Sequence, residues 1–300
     1  MNNYLFNYLI TNQIKYALDF PTFKLSSFEL GGNARIVAFP KEIQDFCNLL
    51  CFLRENNIRF YIVGSCTNTF FSDNGFDGVV VCTSLLNKSI CENNIICAMC
   101  GASITDLSML SMKNDLSGME FCVGIPGSVG GAVLMNACAF GRAMSDVVLK
   151  TEVFDLNLGK RYFISKEEHL FRSKSSIFLK NTSLVILKTE FFLEKQEKTS
   201  VCSKMKEIAL KRVSSQPLDK GNCGSAFKRP INGYASRMID EIGLKGKRVG
   251  NVAISEKHAG FIVNLGAGMA CEVLELSGLV KERVFNNFGV ALEEEFIFVE

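Results

Sequence analysis

A chain of 300 residues, 48% hydrophobic and 21% charged, holds more apolar material than one core takes up, so two or three domains are expected. A formal net charge of +2 excludes a field strong enough to hold nucleic acid or an anionic membrane surface. Twelve cysteines in 300 residues are too dilute for a small secreted disulfide scaffold; Cys47, Cys51, Cys82, Cys97 and Cys122 stand in apolar surroundings, which suits free thiols in a reducing compartment.

The N-terminal run Met1–Phe20 lacks a basic start, and Asn, Thr and Gln interrupt its apolar positions, so it reads as an amphipathic helix and not a signal peptide. No run reaches the ~18 apolar residues of a spanning helix, and a cytoplasmic protein without membrane insertion is expected. From Lys41 to Asn56 the spacing of Ile43, Phe46, Leu49, Leu50 and Leu53 predicts a one-faced helix. Strands are expected at Ile58–Gly64 and Phe76–Cys82, then at Ile95–Gly101, followed by a helix over Ser103–Leu116. After a glycine-rich stretch, Leu149–Asn157, Arg161–Ser165 and Ser183–Lys195 read as three more strands. The charged segment around Glu197 carries no apolar pattern and marks a boundary. Beyond it come helices at Val201–Val213 and Ala235–Ile242, strands at Val249–Ser255 and Gly260–Asn264, a helix over Cys271–Asn287, and a terminal strand in "EEFIFVE".

Four segments carry candidate chemistry. "GSCTN" (Gly64, Ser65, Cys66, Thr67, Asn68) follows a strand with small and polar residues, the type of turn that aims N–H groups at phosphate oxygens; an ordinary strand–strand turn has the same composition. The stretch Gly118–Arg142, "GMEFCVGIPGSVGGAVLMNACAFGR", holds six glycines, which suits either tight helix-entry packing or close approach to a ligand. "GNCGSAFKRP" places Ser225 before Lys228 and Arg229, so that serine either donates a proton or caps a turn. The basic pair, with Lys211 and Arg212, suits a diphosphate or a solvated face. In "LEEEFIFVE" one of three glutamates points away from its neighbours by strand alternation. Cys97-Ala-Met-Cys100 has redox or half-zinc spacing but lies in an apolar run of a chain with two histidines, so no metal is expected.

Together these segments resemble the UDP-N-acetylenolpyruvoylglucosamine reductase (MurB) family, from about Leu25 to Glu300. The landmarks are "NTFFSDNGFDGVVV", the glycine-rich stretch with its "MNA" sequel, "RVSSQPLDKGNCGSAFKRP" and "ISEKHAGFIVN". Their spacing is similar to that of the shorter subgroup, without a tyrosine-bearing insertion. The resemblance implies an α+β fold: a two-part FAD-binding region of the vanillyl-alcohol-oxidase (PCMH) type and an α/β C-terminal substrate domain. The implied division is a helical segment over 1–22, FAD-binding subdomains over 23–82 and 83–196, and a substrate domain over 197–300. It further implies an NADPH-dependent flavoenzyme of peptidoglycan precursor synthesis, expected as a monomer, that reduces UDP-N-acetylglucosamine enolpyruvate to UDP-N-acetylmuramate. By resemblance Ser225 is the proton donor, Glu295 the catalytic glutamate, and Arg212 and Arg229 contact the sugar nucleotide. Gly64–Asn68, then Gly124, Ile125, Pro126, Gly127, Ser128, Gly130, Gly131, Asn136 and Ala137, together with His258, fall to FAD.

The chain departs from the family pattern at several positions. Cys66 replaces a glycine, which costs on the order of 1 kcal/mol or more if the position needs φ > 0. Cys138 and Phe140 stand where glycine and tyrosine are usual. In "FRSKSS" Lys174 takes the register of an arginine that assists the enolate and Ser173 that of a tyrosine; Arg172 shares Lys174's face if the segment is extended. Ile297 stands where an arginine often follows the glutamate. The two readings carried forward are an active reductase with a retuned site and, as the alternative, a degenerate FAD- or UDP-sugar-binding protein with little turnover. Another flavin oxidase on the scaffold is a weaker third, disfavoured by "CGSAF" and Glu295.

Overall fold

The computed structural model describes residues 3–300. Its contacts divide into two compact units, each assembled from separated parts of the chain. The first comprises the N-terminal segment up to Ala17, Ile36–Ser65 and Gly78–Lys211; the second comprises Leu18–Arg35, Cys66–Asp77 and Arg212–Glu300. The chain passes from the first unit to the second at Lys211–Arg212, within the helix Lys198–Ser215, and two short upstream segments belong with the C-terminal third.

In the first unit the helix Ile43–Glu55 forms as its spacing dictates: Ile43, Phe46, Cys47, Leu49, Leu50 and Leu53 are buried on one face. A four-stranded sheet runs in the order Lys15–Pro21, Asn33–Phe39, Phe76–Cys82, Phe60–Val63, its last two strands parallel. A five-stranded antiparallel sheet runs Lys160–Ser165, Val148–Asp155, Leu184–Phe192, Ile95–Met99, Ser89–Glu92. The described N-terminal residues correct the single-helix expectation: helix Asn3–Thr11 gives way to the strand that starts at Lys15.

The second unit has its own core, with Phe28, Leu30, Phe70, Ile239, Ile262, Leu276 and Phe296 among its members. Its sheet runs Asn222–Ser225, Phe261–Asn264, Val252–Ile254, Arg248–Val249, all antiparallel. The single strand expected over Val249–Ser255 is instead a hairpin, with Gly250 at φ +51 in its turn. The helix Ala270–Phe288 buries Ala270, Val273, Leu276, Ser277, Val280 and Val284, and ends at Gly289 in the left-handed region. Asp73 caps its start, accepting from the N–H groups of Ala270 (2.7 Å) and Cys271 (2.9 Å). The landmark "SDNG" is therefore a helix cap built from a distant loop. The terminal strand, Ile297–Val299, pairs in parallel with Thr69–Phe71.

Candidate active site

The glycine-rich stretch belongs to the first unit. Its start is held by Glu120, buried at 2% exposure, which accepts from Ser117 Oγ (2.7 Å) and Gly118 N–H (2.8 Å). Burial alone would raise that carboxyl; these donors and Lys204 outweigh it and hold it below the usual carboxylate range. Ser128 then caps the short helix Val129–Leu134 by accepting from Gly131 N–H (3.3 Å). A Cβ on Gly64 would overlap the Ser128 hydroxyl, and one on Gly130 would press against Cys100 at 3.1 Å. These two glycines accommodate protein. Val129 and Gly130 N–H groups are also committed, to Ala102 and Cys100 carbonyls.

The groups left over fit a phosphate. The N–H groups of Ser65, Gly124, Gly127 and Ser128 have no acceptor among the described residues. Ser128 is 3% exposed, and a buried N–H of this kind requires a partner. An anion beside Ser128 would supply one, with the N–H groups of Ser65, Gly124 and Gly127 as further donors, and the FAD pyrophosphate has the charge for it. Cys66 has φ +45, so the position does require the left-handed region and the cysteine carries its cost, about 1–2 kcal/mol. Cys138 and Phe140 are both exposed on this stretch, Phe140 at φ +50.

Several residues expected at the cofactor are tied into the protein. Ile125 N–H donates to Cys122 O and its carbonyl accepts from Thr105 Oγ1 (2.8 Å). Ala137 N–H donates to Ala132 O. Asn136 (6% exposed, φ +44) donates from Nδ2 to Arg172 O (3.0 Å) and accepts at Oδ1 from Ser145 N–H (2.9 Å). The segment that Asn136 holds is a turn: Arg172 N–H donates to Ser175 O (2.9 Å), Ser175 N–H donates to Arg172 O (3.2 Å), and Lys174 has φ +52. The extended reading of "FRSKSS" is thereby corrected. Arg172 and Lys174 are first and third residues of a tight turn, and Ser176 Oγ fastens its exit to Leu134 O (2.7 Å). Beneath it His169, fully buried, stacks on Phe171 at 4.8 Å. Its Nδ1–H donates to Ser165 O (2.7 Å), which leaves Nε2 to accept from Thr151 Oγ1 (2.8 Å). Burial lowers its pKa and keeps the ring neutral.

The second unit brings Ser225 and Glu295 together. Ser225 ends the strand Asn222–Ser225, whose register shifts against Phe261–Asn264 at Gly224, φ +78. Glu295 N–H donates to the carbonyl of Ala226, the next residue (2.8 Å). Ser225 Oγ has no partner among the described residues. The acidic run separates as alternation demands: Glu293 pairs with Lys228 (3.1 Å), and Glu294 with Lys281 (2.9 Å) and Ser277 (3.0 Å). Asn68, expected at the cofactor, holds Glu295 by its backbone: Nδ2 donates to Glu295 O (2.9 Å), and Asn68 O accepts from Ile297 N–H (2.8 Å). Burial, then the Glu295 charge, pushes the Cys223 thiol up to about 12, so it stays protonated at neutral pH.

His258 accepts at Nδ1 from Gly260 N–H (3.1 Å), which places the proton on Nε2, where no described residue accepts it. Burial lowers its pKa, so a neutral N–H donor is left for a ligand. Arg212 is 6% exposed and donates from Nη1 to Gln216 Oε1 (3.2 Å). Arg229 is exposed and lies over the Tyr234 ring. Tyr234 is not marked in the sequence, because an aromatic five residues after an arginine in a short loop is a common pattern.

A family model described as an FAD binding domain matches residues 34–163, and one described as the UDP-N-acetylenolpyruvoylglucosamine reductase C-terminal domain matches 216–299. A UDP-N-acetylenolpyruvoylglucosamine reductase of Caldicellulosiruptor saccharolyticus is 40% identical over 95% of this chain and 92% of its own. The chain belongs to the UDP-N-acetylenolpyruvoylglucosamine reductase family. A Clostridium perfringens member is 36% identical over 98% of both chains. The crystal structure of the Thermus caldophilus reductase (MurB) superimposes with a TM-score of 0.79 at 27% identity, covering 96% of this chain and 99% of that one. The α+β architecture with an FAD-binding region is thus that of the reductase family. Among the described residues no helix is long and apolar enough to cross a membrane.

Proposed function

We propose that this chain reduces UDP-N-acetylglucosamine enolpyruvate to UDP-N-acetylmuramate, with FAD as carrier, NADPH as reductant and Ser225 as proton donor. The observation that carries this reading is the pairing of an uncommitted Ser225 hydroxyl with Glu295, locked together through Ala226 O and Glu295 N–H at 2.8 Å. Bound in the FAD-binding region, FAD would supply the hydride chemistry.

The chain's own residues do the rest. Ser225 holds a proton at Oγ for the carboxylate-bearing carbon, which needs a donor within about 3 Å. Glu295 is fixed beside it by Asn68 and polarises the site. The cation that stabilises the developing enolate charge comes from the Arg172–Ser175 turn, from either Arg172 or Lys174. Arg212 and Arg229 bind the diphosphate. The open N–H groups of Ser65, Gly124, Gly127 and Ser128, with the Nε2–H of His258, hold the cofactor. Residues 23–82 and 83–196 serve FAD and residues 197–300 the substrate, in a cytoplasmic monomer. No observation favours the alternative of a binder without turnover.

The test is NADPH consumption by the purified, FAD-loaded protein. It should depend on the enolpyruvyl sugar nucleotide and yield UDP-N-acetylmuramate by mass spectrometry. Consumption indifferent to that substrate would overturn the reading.

A further inference from the structure

Lys228 and Arg229 are adjacent basic residues with different fates. Lys228 is committed to Glu293 at 3.1 Å. Arg229 has no carboxylate within ion-pair distance among the described residues. Its guanidinium carbon lies 4.0 Å from the centroid of the Tyr234 ring, and its Nε donates to Gly233 O (3.3 Å), with Gly233 at φ +141. These contacts set the guanidinium carbon over the ring and engage one nitrogen. Nη1 and Nη2 have no partner among the described residues. Tyr234 is 54% exposed and its hydroxyl is likewise without a partner, so the ring is not there to fill a core.

An exposed arginine has many rotamers, and much of that freedom is lost when it grips a ligand. A guanidinium already held over a ring and tied at Nε has lost part of it beforehand, and still offers two terminal donors to phosphate oxygens. We propose that Tyr234 is a positioning residue that preorganises Arg229 for the diphosphate of a sugar nucleotide. The inference rests on the assignment of Arg229 to the substrate. Because the diphosphate is remote from the reacting carbon, the contact is made equally in ground and transition states, so it acts on KM and not on kcat.

The experiment compares Tyr234→Ala, Tyr234→Phe and Arg229→Ala in the FAD-loaded enzyme, with UDP-N-acetylglucosamine enolpyruvate and NADPH varied in turn. Tyr234→Ala should raise KM for the sugar nucleotide about two- to fivefold, the worth of an exposed cation–π contact. KM for NADPH and kcat should hold, and Tyr234→Phe, which keeps the ring, should match the parent. Unchanged KM in Tyr234→Ala beside a raised KM in Arg229→Ala overturns the inference and leaves the substrate arginine standing. Tyr234→Phe as impaired as Tyr234→Ala overturns the stacking account in favour of the hydroxyl. Unchanged KM in Arg229→Ala removes the assignment on which the inference rests, and the inference with it.

Discussion

Asn136→Ala is the sharpest structural test of how the Arg172 turn is held. The side chain is 6% exposed and makes two hydrogen bonds, to Arg172 O (3.0 Å) and from Ser145 N–H (2.9 Å). Losing each costs about 1 kcal/mol. The backbone stands at φ +44, which asparagine tolerates and alanine does not, adding about 1 kcal/mol. The expected loss is therefore about 3 kcal/mol of unfolding free energy. Asn136→Gly loses the same hydrogen bonds but not the backbone contribution, so it should be about 1 kcal/mol more stable than Asn136→Ala, the reverse of their usual order. Urea unfolding of the FAD-loaded protein followed by far-UV circular dichroism measures both, the chain having no tryptophan. Asn136→Ala within about 0.5 kcal/mol of the parent, or as stable as Asn136→Gly, would refute the reasoning.

Gly64→Ala should displace the Ser128 hydroxyl from its cap and weaken FAD retention about tenfold, the worth of one helix cap; unchanged flavin affinity by titration would count against the phosphate role of that loop. Asp73→Ala should cost about 1–2 kcal/mol by removing the cap and the favourable charge at the start of the helix Ala270–Phe288, read as a lower urea midpoint. Both histidines are held below their ordinary value of 6.5 by burial. The unfolded chain therefore takes up protons first, and stability present above about pH 6.5 is lost as pH falls towards the folded values. The urea midpoint should drop between about pH 6.5 and 5.5, less so in His169→Gln, and a midpoint that rises there would contradict the assignment.

Where periodicity or composition decided the structure, the sequence was sufficient. Phe76–Cys82 forms the expected strand because a run of valines is closed by turn residues, and the helix expected over Lys41–Asn56 spans Ile43–Glu55. The helix expected from Val201 starts at Lys198, since its polar first turn carries no apolar signal. The turn at Lys174 was illegible because nothing local marks a lysine for a left-handed φ. Partnerships across long separations were equally hidden. Asn68 and Asn136 end loops of the composition that suits a cofactor, but their amides are taken by Glu295, 227 residues away, and Arg172, 36 residues away. Ser225 and Glu295 were legible as types in motifs, and only the fold joins them.

Ser225→Ala measures the central claim most directly, with the two half-reactions followed separately. NADPH should reduce the bound flavin at the parent rate, and the enolpyruvyl sugar nucleotide should then fail to give UDP-N-acetylmuramate at a comparable rate. Product formation at the parent rate in Ser225→Ala would contradict the assignment of Ser225 as proton donor.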